Sequence, residues 1–195
     1  MAWTYTQSFE GLNTTYLDGQ DSWVNSSGGR YSVTTAKSYL GTKSIVGVNI
    51  NGNTYRNITS VSDGTFYVAI LRTDTTGDAN FDLVKAGTGT RIRLSFQAGK
   101  IYITNNTGTV NLLNPFIVDT WYVFEITFNS SNEHYVRYST AGIWSSQVGP
   151  YTGAVSGNID RININSGAAN TVYIDEISVI DPTSTSFVPV ASSFL

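Results

Sequence analysis

The chain has 195 residues, with eleven Lys and Arg against fourteen Asp and Glu, a single histidine and no cysteine. Disulfides and thiolate metal sites are excluded, and one histidine, His134, makes a Ser-His-Asp triad an unpromising reading. A net charge of −3 with scattered basic residues leaves no electrostatic footprint for nucleic acid. No apolar run reaches the roughly 18 residues that a membrane span needs. The residues Met1–Gln7 carry no basic and apolar leader pattern, so no secretory signal is expected in this chain.

Short alternating segments separated by Gly, Asn, Asp or Ser predict strands at Trp3–Phe9, Arg30–Thr34, Lys43–Ile50, Thr54–Thr59, Thr65–Arg72 and Ala79–Val84. They continue at Thr90–Phe96, Lys100–Thr104, Gly108–Leu112, Trp121–Phe128, His134–Ser139, Ile159–Ile164 and Thr171–Ile180. Turn residues stand between them at Asn51-Gly52, Asp63-Gly64, Gly77-Asp78 and Ala98-Gly99. No segment carries a long helical stripe. The pattern is that of an all-β, two-sheet antiparallel sandwich over residues 1–181. Trp3 and Trp23 are expected to pack beneath the first strands.

On Thr171–Ile180, strict alternation sends Val172, Ile174 and Glu176 one way and Tyr173, Asp175 and Ile177 the other. Asp175 then falls on an apolar face and needs a partner, because an unpaired buried carboxylate is costly. A metal, backbone N–H donors and a basic side chain all satisfy that need.

Residues 182–195 change character: Thr183–Ser186 reads as a linker, whereas Phe187, Val188, Val190, Phe194 and Leu195 form an apolar tail. Such a tail docks on its own domain or on a neighbouring subunit. The second case makes it an assembly element.

Several motifs together resemble the concanavalin-A-like, laminin-G-type jelly roll: Ser8–Gly11 with Leu17–Trp23, Gly41–Ile45, Trp121–Phe128 and Tyr173–Val179. The resemblance implies that first and last strands meet. It also implies one structural Ca2+ with Glu10 and Asp175 as side-chain ligands, loop carbonyls completing a hard oxygen shell.

Jelly-roll glycosidases set carboxylates at alternate positions of one strand, so that two acids face the substrate. Asp175 and Glu176 are adjacent and alternation opposes them, while Glu125 and Glu133 stand singly. On that ground the chain is expected not to be an enzyme, whether hydrolase or lyase. A polar sheet face is the remaining constellation: Arg91 and Arg93 on one strand, Trp121 and Glu125 on another, Tyr135 and Arg137 on a third, Arg161 and Asn163 on a fourth. Trp144, with Tyr151, stands in a loop-like stretch beside them. If these strands are neighbours, rings and planar polar groups line a surface suited to sugars; otherwise the face is simply solvated. The function expected is a non-catalytic surface module of a virion or similar assembly with weak glycan binding, located on a virion or outside the cell. The alternative is a carbohydrate-binding module of an extracellular enzyme or adhesin. Its partners would be other subunits and glycans, with neither nucleic acid nor membrane insertion.

Overall fold

The computed structural model describes residues 3–48, 50–167 and 170–180. Phe187, Val188, Val190, Phe194 and Leu195, expected to act in assembly, and the boundary at 181–182 lie outside the described residues, as does the Trp3 side chain.

Among the described residues, sixteen strands form two antiparallel sheets. They are β1 (Trp3–Gln7), β2 (Val24–Ser27), β3 (Ser32–Thr34), β4 (Ser44–Val48), β5 (Gly52–Val61), β6 (Gly64–Arg72), β7 (Asp78–Lys85) and β8 (Gly89–Gln97). The remainder are β9 (Lys100–Asn105), β10 (Gly108–Leu113), β11 (Trp121–Phe128), β12 (Glu133–Thr140), β13 (Ile143–Trp144), β14 (Val148–Thr152), β15 (Ile159–Ser166) and β16 (Thr171–Ile180). A nine-stranded sheet runs β13-β12-β11-β6-β16-β4-β3, with β1 added to β16 and β14 to β12. A seven-stranded sheet runs β10-β9-β8-β7-β15-β5-β2. The all-β sandwich is as the strand pattern indicates, and the meeting of first and last strands, Tyr5 opposite Val179, is as the jelly-roll resemblance implies.

Alternation builds the core. Phe66, Val68 and Ile70 of β6, with Phe124, Ile126 and Phe128 of β11, face Phe81, Leu83, Ile92, Leu94 and Phe96 of the other sheet. The inward aromatics meet edge-on, Phe96 with Phe124 at 5.8 Å and 88°, the arrangement that ring quadrupoles favour. Trp23 is fully buried, as expected. The β8–β9 hairpin closes through Ala98 (φ 49°) and Gly99 (φ 75°), two successive left-handed residues whose twist matches that of the flanking strands.

Two bulges depart from strict alternation. On β16, Asp175 stands opposite Ala69 and Ser178 opposite Tyr67, so β16 carries one residue more than β6 in this interval. Glu176 absorbs it at φ 50°. The extra residue brings Ile177 and Val179 onto the same core face as Val172 and Ile174. Asp175 therefore turns away from the core. On β8, Leu83 pairs with Ile92 and Val84 with Thr90, which leaves Arg91 without a cross-strand partner.

Candidate functional site

The expected single polar face does not exist. Strands β8 and β15 belong to one sheet, β11 and β12 to the other, so the residues divide between opposite outer surfaces of the sandwich. Arg91 belongs to neither. Turned aside by its bulge, it is 2% exposed, lies over the Phe128 ring, and donates to the Asn129 and Gly157 carbonyls and to Asn132 Oδ1. Those bonds tie the β11–β12 and β14–β15 loops to β8, and Arg91 is structural.

On the seven-stranded sheet, Arg93 forms a bidentate pair with Asp82 at 2.7 Å through each oxygen. Arg161 stacks over Tyr55 at 4.3 Å and donates to Asn57. Asn163 stands in register between Asp82 and Tyr55.

The nine-stranded sheet gathers the rest. In register across β12, β11 and β6 lie Arg137, Glu125 and Tyr67. Both Glu125 oxygens accept from Arg137 at 2.7 Å, and the Tyr67 hydroxyl donates to Oε2 at 2.6 Å. Burial, reinforced by the Glu125 carboxylate, pushes the Tyr67 phenol well above its ordinary pKa. The Arg137 guanidinium lies 4.7 Å from the Trp144 ring centre, within the range of a cation–π contact. Trp144 is half-buried in the short β13 and so is not a free loop residue. Tyr135 shares the outward side of β12 with Arg137. Tyr151, on β14, leans against the buried ring of His134 at 5.6 Å. A cleft of about 230 Å3, lined by Asn111, Leu112, Arg137, Ser145, Val148 and Tyr151 among others, opens beside β12.

At the other end of this face Trp121 meets Tyr39 in a tilted contact, ring centres 5.8 Å apart and planes at 56°. Tyr39 arrives on the loop 35–43, which crosses the outer face and is pinned from several directions. Asp175 Oδ2 accepts from the Tyr39 and Leu40 amides, and Glu10 Oε1 from those of Thr42 and Lys43. Lys37 pairs with Asp119 and lies over the Tyr173 ring. Burial raises the Asp175 pKa to about 7 despite these amide donors. Burial also raises Glu176, with Glu10 adding to it. Glu10 itself is held below its usual value: burial works against ionisation, but the Lys43 and Thr42 amides outweigh it.

Glu10 and Asp175, the side chains that the jelly-roll resemblance implies as Ca2+ ligands, both accept from N–H donors of one loop. Amides presenting positive ends to both carboxylates do not suit a hard cation, which requires oxygen donors instead. Among the described residues no group of three or more His, Asp or Glu is placed to hold a metal.

Tyr39, Tyr67 and Lys37 escaped the sequence reading. Tyr67 has the outward parity of a strand residue, but its relevance depends on β6 lying beside β11. Tyr39 and Lys37 sit in a stretch without periodicity.

No family model matches the sequence, and no curated protein matches it by sequence comparison. Solved structures do match the fold. A sialidase aligns with TM-score 0.62 at 10% identity over 82% of this chain, which spans only 17% of that protein. An endo-beta-1,4-glucuronan lyase from the fungus Trichoderma reesei aligns at 0.59 and 13% identity, covering 94% of this chain and 97% of the lyase. The cellulose induced protein Cip1 aligns at 0.59 and 18% identity, covering 90% and 96%. At such identities the likeness establishes the two-sheet sandwich fold.

The expectation that the chain is not an enzyme requires correction. The same fold is present in a sialidase and a glucuronan lyase, so the architecture gives no ground for excluding catalysis. The premise behind the exclusion also fails. The β16 bulge breaks the alternation between Asp175 and Glu176, and the Glu176 charge adds to the rise of the Asp175 pKa.

Proposed function

We propose that the chain recognises carbohydrate on the outer face of the nine-stranded sheet. The observation that carries this reading is a pair of half-exposed aromatic platforms, Trp121 with Tyr39 and Trp144 under Arg137, on either side of the fixed Tyr67–Glu125–Arg137 row. Sugar rings present apolar C–H faces to aromatic planes and hydroxyls to charged or planar polar groups. Here the polar groups are already held by one another, so little side-chain freedom is lost on binding. The recurrence of the fold in a sialidase and a glucuronan lyase supports the reading. Affinity at one such face is modest, and many copies on a virion or at an extracellular surface would multiply it.

A glycan array followed by calorimetry tests the proposal. Trp121→Ala and Trp144→Ala should each weaken binding by about fivefold, the equivalent of about 1 kcal/mol for one stacking contact. Binding that survives both substitutions would place the site elsewhere. Product release, followed in the same incubations, decides whether bound glycan is also cleaved. Glu176→Gln is the variant that then assigns the acid.

A further inference from the structure

We propose that this face selects neutral glycans over carboxylated ones, and that Glu125 is the residue that sets the selection; the inference rests on the glycan-binding reading above. Arg137 is the cation best placed to meet a ligand, at the junction of the Trp144 platform and the cleft. A free guanidinium there would be a bidentate receptor for a uronate or other sugar carboxylate. It is not free. Glu125 occupies the same two-pronged edge, with Nε at 2.7 Å from Oε1 and Nη2 at 2.7 Å from Oε2.

Glu125 is itself only 7% exposed and held from the other side by Tyr67, so it cannot swing away to make room. The pair therefore presents no net charge, while unused donor and acceptor directions remain for hydroxyl groups.

The surroundings reinforce this. Lys37, the other cation of the face, is matched by Asp119 at 2.5 Å. Lys43, the last residue of the loop, turns its ammonium onto the Glu10 and Leu12 carbonyls. Glu176, half-buried beside the loop 35–43, forms no ion pair among the described residues. An anionic sugar approaching this face meets a cancelled cation and a negative background. Each sugar carboxylate about 8 Å from one uncompensated acid should bind about twofold more weakly through water, and the penalty should fade near 1 M salt, where charges are screened within about 3 Å.

The test uses matched pairs of gluco-, galacto- and manno-oligosaccharides, each as the neutral chain and as its C6-carboxylate form, titrated against the full chain at low and high salt. The wild type should prefer the neutral member of a pair at low salt, and the preference should shrink as salt rises. Glu125→Gln removes the charge at nearly constant shape and releases Arg137; it should shift the ratio toward the carboxylated member by about tenfold. Should that variant fail to fold, the wild-type salt dependence decides alone. Equal or tighter wild-type binding of the carboxylated form, weakening with salt, would overturn this inference while leaving glycan recognition intact. Absence of binding to every member by folded wild-type protein would overturn glycan recognition itself, and this inference with it.

Discussion

Replacing Asp175 by Asn or His134 by Phe should change the pH dependence of stability in opposite directions. Both residues are fully buried. Burial raises the Asp175 pKa from 3.8 to about 7. Burial, with the nearby Arg91 charge, lowers His134 from 6.5 to about 4. At about 1.4 kcal/mol per pH unit, Asp175 is linked to about 4 kcal/mol and His134 to about 3 kcal/mol. The signs oppose. Asp175, with its folded value raised, contributes stability that is complete below pH 3.8 and lost as the pH rises to about 7. His134, with its folded value lowered, removes stability as the pH falls from 6.5 to about 4. Between pH 4 and 6.5 the two slopes nearly cancel, so the wild type should be almost flat with respect to these groups. Urea unfolding, followed by tryptophan fluorescence at half-unit steps from pH 4 to 7.5, separates them. Relative to wild type, D175N should lose about 4 kcal/mol as the pH is lowered from 7 to 4. H134F should gain about 3 kcal/mol between 6.5 and 4. Profiles that run parallel to the wild type in either variant would refute the assignment for that residue.

Calcium and chelator should leave the urea midpoint unchanged, because amide donors already occupy Glu10 and Asp175; a stabilisation by calcium that D175N abolishes would reinstate the metal site. Truncation after residue 181 should leave the melting temperature nearly unchanged while lowering the oligomeric state seen by light scattering. A truncated chain that fails to fold would make residues 182–195 part of the domain's own core.

Thirteen of the strands were legible because their inward residues alternate, as Leu94 and Phe96 do on β8 and Phe124 and Ile126 on β11, all four buried in the core. The strands β2, β13 and β14 were not. They are short and carry little apolar periodicity, and β14 contains Pro150, which suits only an edge position. Sheet membership was illegible in principle: Arg93 and Arg137 have equivalent outward parity, and only long-range pairing shows that they lie on opposite surfaces. The β16 bulge did leave a trace. Val172 and Ile174 are out of phase by one residue with Ile177 and Val179, which strict alternation cannot reconcile on one core face. Attention to that phase slip would have moved Asp175 off the core.

The position of β16 also bears on how the chain can assemble. It lies between β6 and β4 and takes β1 alongside, so β1, β3 and β4 are joined to the other five strands of their sheet through a strand from the far end of the described chain. The amide that meets Asp175 belongs to a residue 136 positions earlier. Contacts of such separation pay their loop-closure entropy before they return any burial, and folds dominated by them form slowly. During synthesis β4 and β6 emerge with unsatisfied edges and must wait for β16. In that interval the partly made sheet is exposed to pairing with another copy of itself.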